Sequence, residues 1–153
     1  MARTAEEILI AAGVEYTAFD HPPIRTLEDI DRVLKLPQDR LLKTMAFRTP
    51  DGFLLAALPI LARVAYGALA RAAGRPRSAL RQADQDDLAE LGMEPGGVSP
   101  LTDVPGTMVL FDVAVPEMDS VYCGSGRADR TIEVGVPGLL RAARPVVGEL
   151  SAP

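Results

Sequence analysis

Apolar residues along the chain repeat at helix spacing in some segments and at strand spacing in others. Ala5, Ile8, Leu9 and Ala12 lie three and four residues apart, which predicts a helix over residues 4–12 that ends at Gly13. Four further helices are predicted at 26–34 (opened by Thr26 and Asp29), 65–73, 84–92 (capped by Asp84) and from Pro137 onward. Strands are predicted at 14–19, 41–48, 53–58, 78–83, 107–112, 121–123, 131–134 and 146–150.

The order of these elements predicts the fold class. Helices and strands interleave irregularly, and residues 49–52 (Thr-Pro-Asp-Gly) are typical of a hairpin turn. This order favours a single α+β or α/β domain, residues 1–153, with a mixed β-sheet flanked by helices, over a parallel doubly wound fold.

Composition places the chain among soluble globular proteins. Of the 153 residues, 48% are hydrophobic, which argues against disorder. The N-terminus lacks the apolar run of a signal peptide, and no segment has the roughly 18 apolar residues of a membrane helix. The single cysteine, Cys123, excludes an internal disulfide framework. We therefore expect a cytoplasmic protein without a membrane partner.

Charge is unevenly distributed along the chain. The net charge of -5 argues against broad, non-specific nucleic-acid binding, which depends on neutralising phosphates. Between Asp51 and Asp84, however, there is no acidic residue, and the segment carries Arg63, Arg71, Arg75, Arg77 and Arg81. This basic segment could meet an RNA backbone, or it could form the solvated face of a helix.

Lys43 is the residue most suggestive of a functional site. The chain has only two lysines, Lys35 and Lys43, among 16 basic residues. On a strand, Lys43 shares a face with Met45 and Phe47, and the opposite face is also largely apolar. An ammonium there suits a phosphate or a polarised carbonyl. The alternative is an edge-strand lysine that prevents aggregation.

Two glycine-containing segments are candidate loops. The pair Gly96-Gly97, followed by Pro100, could bring backbone N–H groups close to an oxyanion or to a small substrate, or it could form an ordinary turn. The segment 124–126 (Gly-Ser-Gly) precedes a strand rather than a helix, so it does not fit a dinucleotide-binding fingerprint.

His21 and Cys123 are the only residues of their types. They could form one Cys–His dyad if the fold brings them together, although a lone cysteine beside Val121 and Tyr122 is more typical of a packed core position. One histidine and one cysteine do not provide a zinc ligand set, so we expect no metal and no other cofactor.

Several segments, covering most of the chain, occur in an order typical of one family. They are His21-Pro22-Pro23, Leu42-Lys43-Thr44-Met45-Ala46-Phe47, Gly96-x-x-x-Pro100, Val121-Tyr122-Cys123-Gly124-Ser125-Gly126 and Thr131-Ile132-Glu133-Val134. In this order they resemble the YbaK/prolyl-tRNA-synthetase-associated domain family. The sequence departs from many relatives at residues 59–65, where they carry an aspartate and lysines.

The resemblance implies a function and a set of site residues. The family's α+β domains hydrolyse amino acids wrongly attached to tRNA, often proline tRNA. By resemblance, Lys43 engages the terminal adenosine phosphate or the carbonyl of the substrate. The expected catalytic residues are Lys43, Gly96, Gly97, Val98, Ser99 and Pro100. The expected substrate-binding residues are His21, Thr44, Met45, Gly124 and Gly126.

The expected function is therefore that of a trans-acting aminoacyl-tRNA deacylase for small amino acids, with proline tRNA as a candidate. No synthetase or anticodon-binding segment accompanies the motifs, so a free-standing editor is expected. Its expected partners are the acceptor end of aminoacyl-tRNA and a synthetase in trans. The alternatives are a non-catalytic module that binds tRNA ends or a small ligand, and a hydrolase that depends on Cys123.

Overall fold

The computed structural model describes residues 2–153, apart from the side chains of Leu27 and Asp31. Met1, the first residue of the expected domain, lies outside this range. The described residues form helices α1 Ala5–Ala11, α2 Leu27–Asp29, α3 Tyr66–Ala73, α4 Gln85–Glu90 and α5 Val136–Ala143. They form strands β1 Tyr16–Asp20, β2 Leu42–Thr49, β3 Gly52–Pro59, β4 Arg81–Gln82, β5 Thr107–Asp112, β6 Ser120–Gly124, β7 Arg130–Gly135 and β8 Val146–Gly148.

The strands are arranged in two sheets. The larger sheet has the order β4-β2-β3-β5-β8, with antiparallel pairs from β4 to β3 and parallel pairs from β3 to β8. The smaller sheet has the order β1-β7-β6 and is antiparallel. The expected α+β class, with a mixed sheet and flanking helices, is confirmed.

β3 is central because of its sequence. Every residue from Phe53 to Leu58 is apolar and buried, so this strand is covered by other residues on both faces of the sheet. The predicted hairpin precedes it: β2 and β3 pair in register from Leu42 with Pro59 to Thr49 with Gly52.

Side-chain caps fix the helix starts that the sequence indicated. The Thr4 hydroxyl accepts from the Glu7 amide at 3.1 Å, and the Glu7 carboxylate accepts from the Thr4 amide at 2.9 Å. Asp84 and Asp87 form the same reciprocal cap at α4.

α2 is shorter than predicted. Thr26 and Asp29 form the expected reciprocal hydrogen bonds, but the segment Ile30–Leu34 is π-helical. This helical segment ends at Lys35, whose φ is 50°. The strand predicted at 78–83 is also shorter, because a 3-10 turn occupies Arg77–Ala79 and leaves only β4.

The two sheets share one core and meet along β2 and β6. Leu42 and Phe111 of the larger sheet pack in the same cluster as Val121 and Ile132 of the smaller one, beneath α1 and α5. Leu41, just before β2, forms a parallel backbone bridge with Tyr122 of β6.

Arg40 reinforces this junction between the sheets. Its Nε donates to the Ser120 carbonyl at 3.2 Å, and its Nη2 donates to Glu133 Oε2 at 2.7 Å. Its guanidinium also lies over the Tyr122 ring, 4.8 Å from the centroid. Among the residues described, no helix has the length and apolar character needed to cross a membrane.

Candidate functional site

A cavity of about 190 Å³ lies where the two sheets meet. Most of its wall is apolar, from Ile24, Ile30, Leu34, Leu41, Leu42 and Ile60. Its polar side chains are Lys43, Thr44 and Thr131, and the remaining wall residues are Gly96, Val98, Cys123 and Gly124. A larger groove of about 560 Å³ beside β1 and β7 is shallow and open, which makes it a poorer binding site.

Lys43 is the one charged side chain among the wall residues of this Lys43 cavity. Its Nζ donates to the Ala62 carbonyl oxygen at 2.6 Å, and no described carboxylate pairs with it. Partial burial disfavours the charged ammonium and lowers the pKa of Lys43. The site therefore contains an uncompensated cation that still has two donor hydrogens to offer.

The edge-strand interpretation of Lys43 fits the structure less well. β4 pairs with β2 only at Phe47 and Arg48, so β4 does not cover the edge of β2 at Lys43, as that interpretation requires. The lysine nevertheless donates to the Ala62 carbonyl oxygen and lines the cavity, whereas a lysine that protects a sheet edge extends into solvent.

The loop over residues 96–100 borders the cavity through Gly96 and Val98. The Gly97 amide donates to the Glu94 carbonyl at 3.0 Å, and the Ser99 amide points to Met93 Sδ at 3.4 Å. Within residues 2–153, the Gly96 and Val98 amides have no hydrogen-bond partner. These two N–H groups, rather than all those from Gly96 to Ser99, are the candidate donors.

The two glycines of this loop also serve packing. Gly96 has a φ of 86°, and a Cβ on it would overlap the Ile24 carbonyl oxygen. A Cβ on Gly97 would overlap the Arg127 carbonyl group. The glycines therefore let three backbone segments approach one another, in addition to any role toward a substrate.

His21 lies next to the cavity, against Thr131. Its Nε2 is 2.8 Å from Thr131 Oγ1, and its Nδ1 is 2.9 Å from the Pro22 carbonyl oxygen. Thr131 in β7 lies opposite Gly124 in β6, so both residues face the cavity from the smaller sheet.

Cys123 is in the cavity wall, but its thiol is not activated. Its side chain is buried in the shared core, and burial raises the pKa of the thiol to about 12. Both ring nitrogens of His21 are hydrogen-bonded to oxygen atoms. The arrangement is that of a packed cysteine rather than a Cys–His dyad.

Six of the expected site residues lie outside the cavity wall, and their expected roles remain predictions. Two of them, Gly97 and His21, are described above. Met45 packs in the core with Phe47, Ser99 is buried and accepts from the Leu101 amide, and Pro100 is buried behind the loop. Gly126 donates to the Gly97 carbonyl at 2.7 Å and so supports the loop from behind.

Sequence reasoning did not include Thr131 or the apolar wall in the site. Thr131 could have been suspected, because it is a polar residue in an otherwise apolar strand directly after the 124–126 turn. Ile30 and Leu34 come from the π-helical turn, whose geometry no pattern in the sequence indicates.

The fold pairs two of the five arginines of the basic segment with carboxylates. Arg75 pairs with Asp51 at 2.5 Å, and Arg81 pairs with Asp84 and Asp87. Arg77 lies over the Tyr66 ring, 5.2 Å from its centroid. Arg63, Arg71 and Arg77 have no described acidic partner, and Arg63 follows Ala62, whose carbonyl oxygen accepts from Lys43.

Comparison with known proteins identifies the family. Residues 21–142 match the model of the aminoacyl-tRNA editing domain. The chain belongs to this family. The match begins at His21 and spans every wall residue of the Lys43 cavity.

The curated relatives of this editing domain are proline–tRNA ligases. It is 30% identical over 116 residues to the proline–tRNA ligase of Xanthomonas campestris pv. campestris, covering 75% of the chain but 20% of the ligase. The chain therefore spans about a fifth of the curated relatives' length.

Two crystal structures share the whole fold. A hypothetical protein at 25% identity has a TM-score of 0.80, with 96% of this chain and 98% of that chain covered. A candidate trans-editing enzyme for prolyl tRNA synthetase, at 22% identity, has a TM-score of 0.81, with 97% and 94% covered.

Proposed function

We propose that the chain hydrolyses the ester bond of mischarged aminoacyl-tRNA carrying a small amino acid. The observation that carries this proposal is the uncompensated Lys43 ammonium in a small apolar cavity beside unpartnered loop amides. Membership of the editing family supports it. Because curated relatives are proline–tRNA ligases, we propose charging errors on proline tRNA as the first substrates to test.

Lys43 is proposed to hold an oxygen of the substrate. A half-buried ammonium without a carboxylate partner attracts an anion or a polarised carbonyl, because either restores interactions that the ammonium lost with water. A terminal phosphate or the ester carbonyl of the substrate meets this requirement. Lys43 would reach it with the hydrogens that Ala62 does not use.

The chemical step needs little beyond positioning. Water adds to the ester carbonyl carbon, the carbonyl oxygen becomes an oxyanion, and the bond to the ribose oxygen then breaks. The water's proton passes to the ribose oxygen, which leaves a free amino acid and a tRNA with a free terminal hydroxyl. The Gly96 and Val98 amides are the proposed donors to the oxyanion.

Cavity size supports a small amino acid. Its volume of about 190 Å³ is below the roughly 300–1,000 Å³ typical of sites for drug-sized ligands. A steric filter of this kind rejects bulky groups firmly, but it separates near-isosteres by only about 10–200-fold. We therefore expect alanyl, seryl and cysteinyl esters to be cleaved ahead of phenylalanyl and tryptophanyl esters.

The test is a deacylation assay with proline tRNA charged with alanine, serine, cysteine, proline or phenylalanine. Release of the labelled amino acid is measured with and without the protein. Turnover of the small esters, lost in Lys43→Met, is the expected result. Tight binding of the same tRNAs without turnover would instead identify a non-catalytic binding module on this fold, and rapid cleavage of the phenylalanyl ester would refute the small-cavity argument.

A further inference from the structure

His21 lies between two oxygen atoms that together define its tautomer. Its Nδ1 is 2.9 Å from the Pro22 carbonyl oxygen, and a carbonyl oxygen can only accept. In the neutral ring the proton must therefore be on Nδ1, and Nε2 carries a lone pair. The Thr131 hydroxyl, 2.8 Å from Nε2, must then donate to it.

This bond determines what Thr131 presents to the cavity. The hydroxyl has one hydrogen, which His21 takes, and two lone pairs. Within residues 2–153, Thr131 makes no other side-chain hydrogen bond, and it is only 7% exposed while lining the cavity. Toward a ligand, Thr131 can therefore act only as an acceptor.

The cavity thus has a donor on one sheet and an acceptor on the other. Lys43 of β2 offers hydrogens to phosphate or carbonyl oxygens, which are acceptors. Thr131 of β7 cannot bind such oxygens, because its only hydrogen is occupied. In the aminoacyl part of an alanyl ester, the group that has hydrogens to donate is the α-ammonium group.

We propose that Thr131 accepts a hydrogen bond from the free α-ammonium group of the aminoacyl substrate, and that His21 is a positioning residue that keeps Thr131 an acceptor. This inference rests on the proposed deacylase function. It assigns the site to esters that carry a free amine, and it makes Thr131 a specificity-determining residue.

The substrate pair that isolates this contact is alanyl-tRNA and propionyl-tRNA, since the propionyl group lacks only the amine. Each rate is divided by the spontaneous hydrolysis rate of the same ester, because the ammonium itself activates the ester. Thr131→Val should reduce kcat/KM for the alanyl ester by about 10- to 100-fold, the range for a hydrogen bond to a charged group. It should leave the propionyl ester nearly unchanged.

Companion variants separate recognition from folding. Thr131→Ser keeps the hydroxyl and should retain the preference for the alanyl ester, whereas His21→Ala should weaken it. Thr17→Val is the matched control, because Thr17 lies in the same sheet and lines the shallow groove instead of the cavity. Equal loss on both esters in Thr131→Val, or no loss on either, overturns the proposal.

Two readouts do not depend on turnover. If the wild-type protein cleaves neither ester, the deacylase function fails. The amine contact is then tested by the affinities for amide-linked alanyl- and propionyl-adenosine, and equal affinities refute it. In addition, His21 is the only histidine in the chain, so its ¹⁵N NMR signals need no assignment. A proton found on Nε2 instead of Nδ1 in the neutral ring also overturns the proposal.

Discussion

Replacing Lys43 by methionine tests the core of the proposed mechanism, because methionine keeps an unbranched side chain, one atom shorter than that of lysine, and removes the charge. If the ammonium stabilises the developing oxyanion or holds the phosphate, its loss should lower kcat/KM by about 10²–10³-fold, the cost of removing one such donor. Lys43→Arg should also fail, because the planar guanidinium does not fit a cavity shaped for a point charge.

The stability of the same variant should change little. Lys43 contributes one charge-assisted bond to the Ala62 carbonyl, worth about 1.5–3 kcal/mol. Partial burial opposes this, as the lowered pKa of Lys43 shows. Because the pKa of this base is lower in the folded state, its charge costs stability below the folded pKa. That cost begins to fall as pH rises through the folded pKa, and it is gone above the ordinary lysine pKa of 10.5. We expect the free energy of unfolding of Lys43→Met to lie within about 1–2 kcal/mol of the wild type.

The assay pairs single-turnover deacylation of alanyl-tRNA with urea unfolding monitored by circular dichroism. Lys35→Met is the matched control, since it removes the other lysine, which is exposed. The lowered pKa of Lys43 further predicts that activity above the spontaneous rate falls as pH rises toward that pKa. A folded Lys43→Met protein with wild-type kcat/KM would contradict the proposed role of the Lys43 ammonium.

Three further predictions concern single contacts. Cys123→Ser should retain most activity per folded molecule while losing about 1–3 kcal/mol of stability, because a buried hydroxyl replaces an inert thiol; a folded but inactive variant would revive the dyad. Gly96→Ala and Gly97→Ala should each lose about 2–4 kcal/mol by urea unfolding, since each methyl meets backbone; wild-type stability in both would contradict the close packing. The bond from Arg130 at 2.8 Å lowers the pKa of Glu6, so it contributes stability above its ordinary pKa of 4.5 that is lost as pH falls through the lowered value. Glu6→Gln should therefore lose about 1 kcal/mol at pH 7 and show a smaller loss in acid, and an unchanged pH profile of stability would refute this.

Local signals in the sequence predicted most of the fold. Apolar spacing located α1 and the β2–β3 hairpin, and Thr4 and Asp84 occur where the sequence indicates helix starts. The π-helical turn escaped prediction because it is only five residues long, which is too short for its i to i+5 bonds to produce an apolar period of their own. The second sheet escaped it because pairing between distant strands depends on tertiary packing.

The site was predictable in its motif residues and unpredictable in its contacts. Lys43, Gly96 and Gly124 share one cavity, as expected of residues from ordered motifs. The ion pairs of Arg75 and Arg81 could not be predicted, because they depend on the positions of Asp51 and Asp87 in the fold. The bond from Thr131 to His21 likewise joins residues 110 positions apart.

The position of the cavity between two sheets bears on how sharply it can measure a substrate. Within each sheet, hydrogen bonds between the strands fix the spacing of the wall residues. Thr131 and Gly124 therefore keep their relative positions in the smaller sheet, and Lys43 and Leu42 keep theirs in the larger one. The gap between the two sheets is set where they meet. Leu41 forms a backbone bridge with Tyr122, and Arg40, just before β2, donates to Ser120 and Glu133 of the smaller sheet. A small rotation at this junction would widen or narrow the opening without breaking the hydrogen bonds within either sheet. If the cavity selects amino acids by size, as proposed above, the precision of that selection depends on how firmly these contacts hold the two sheets together.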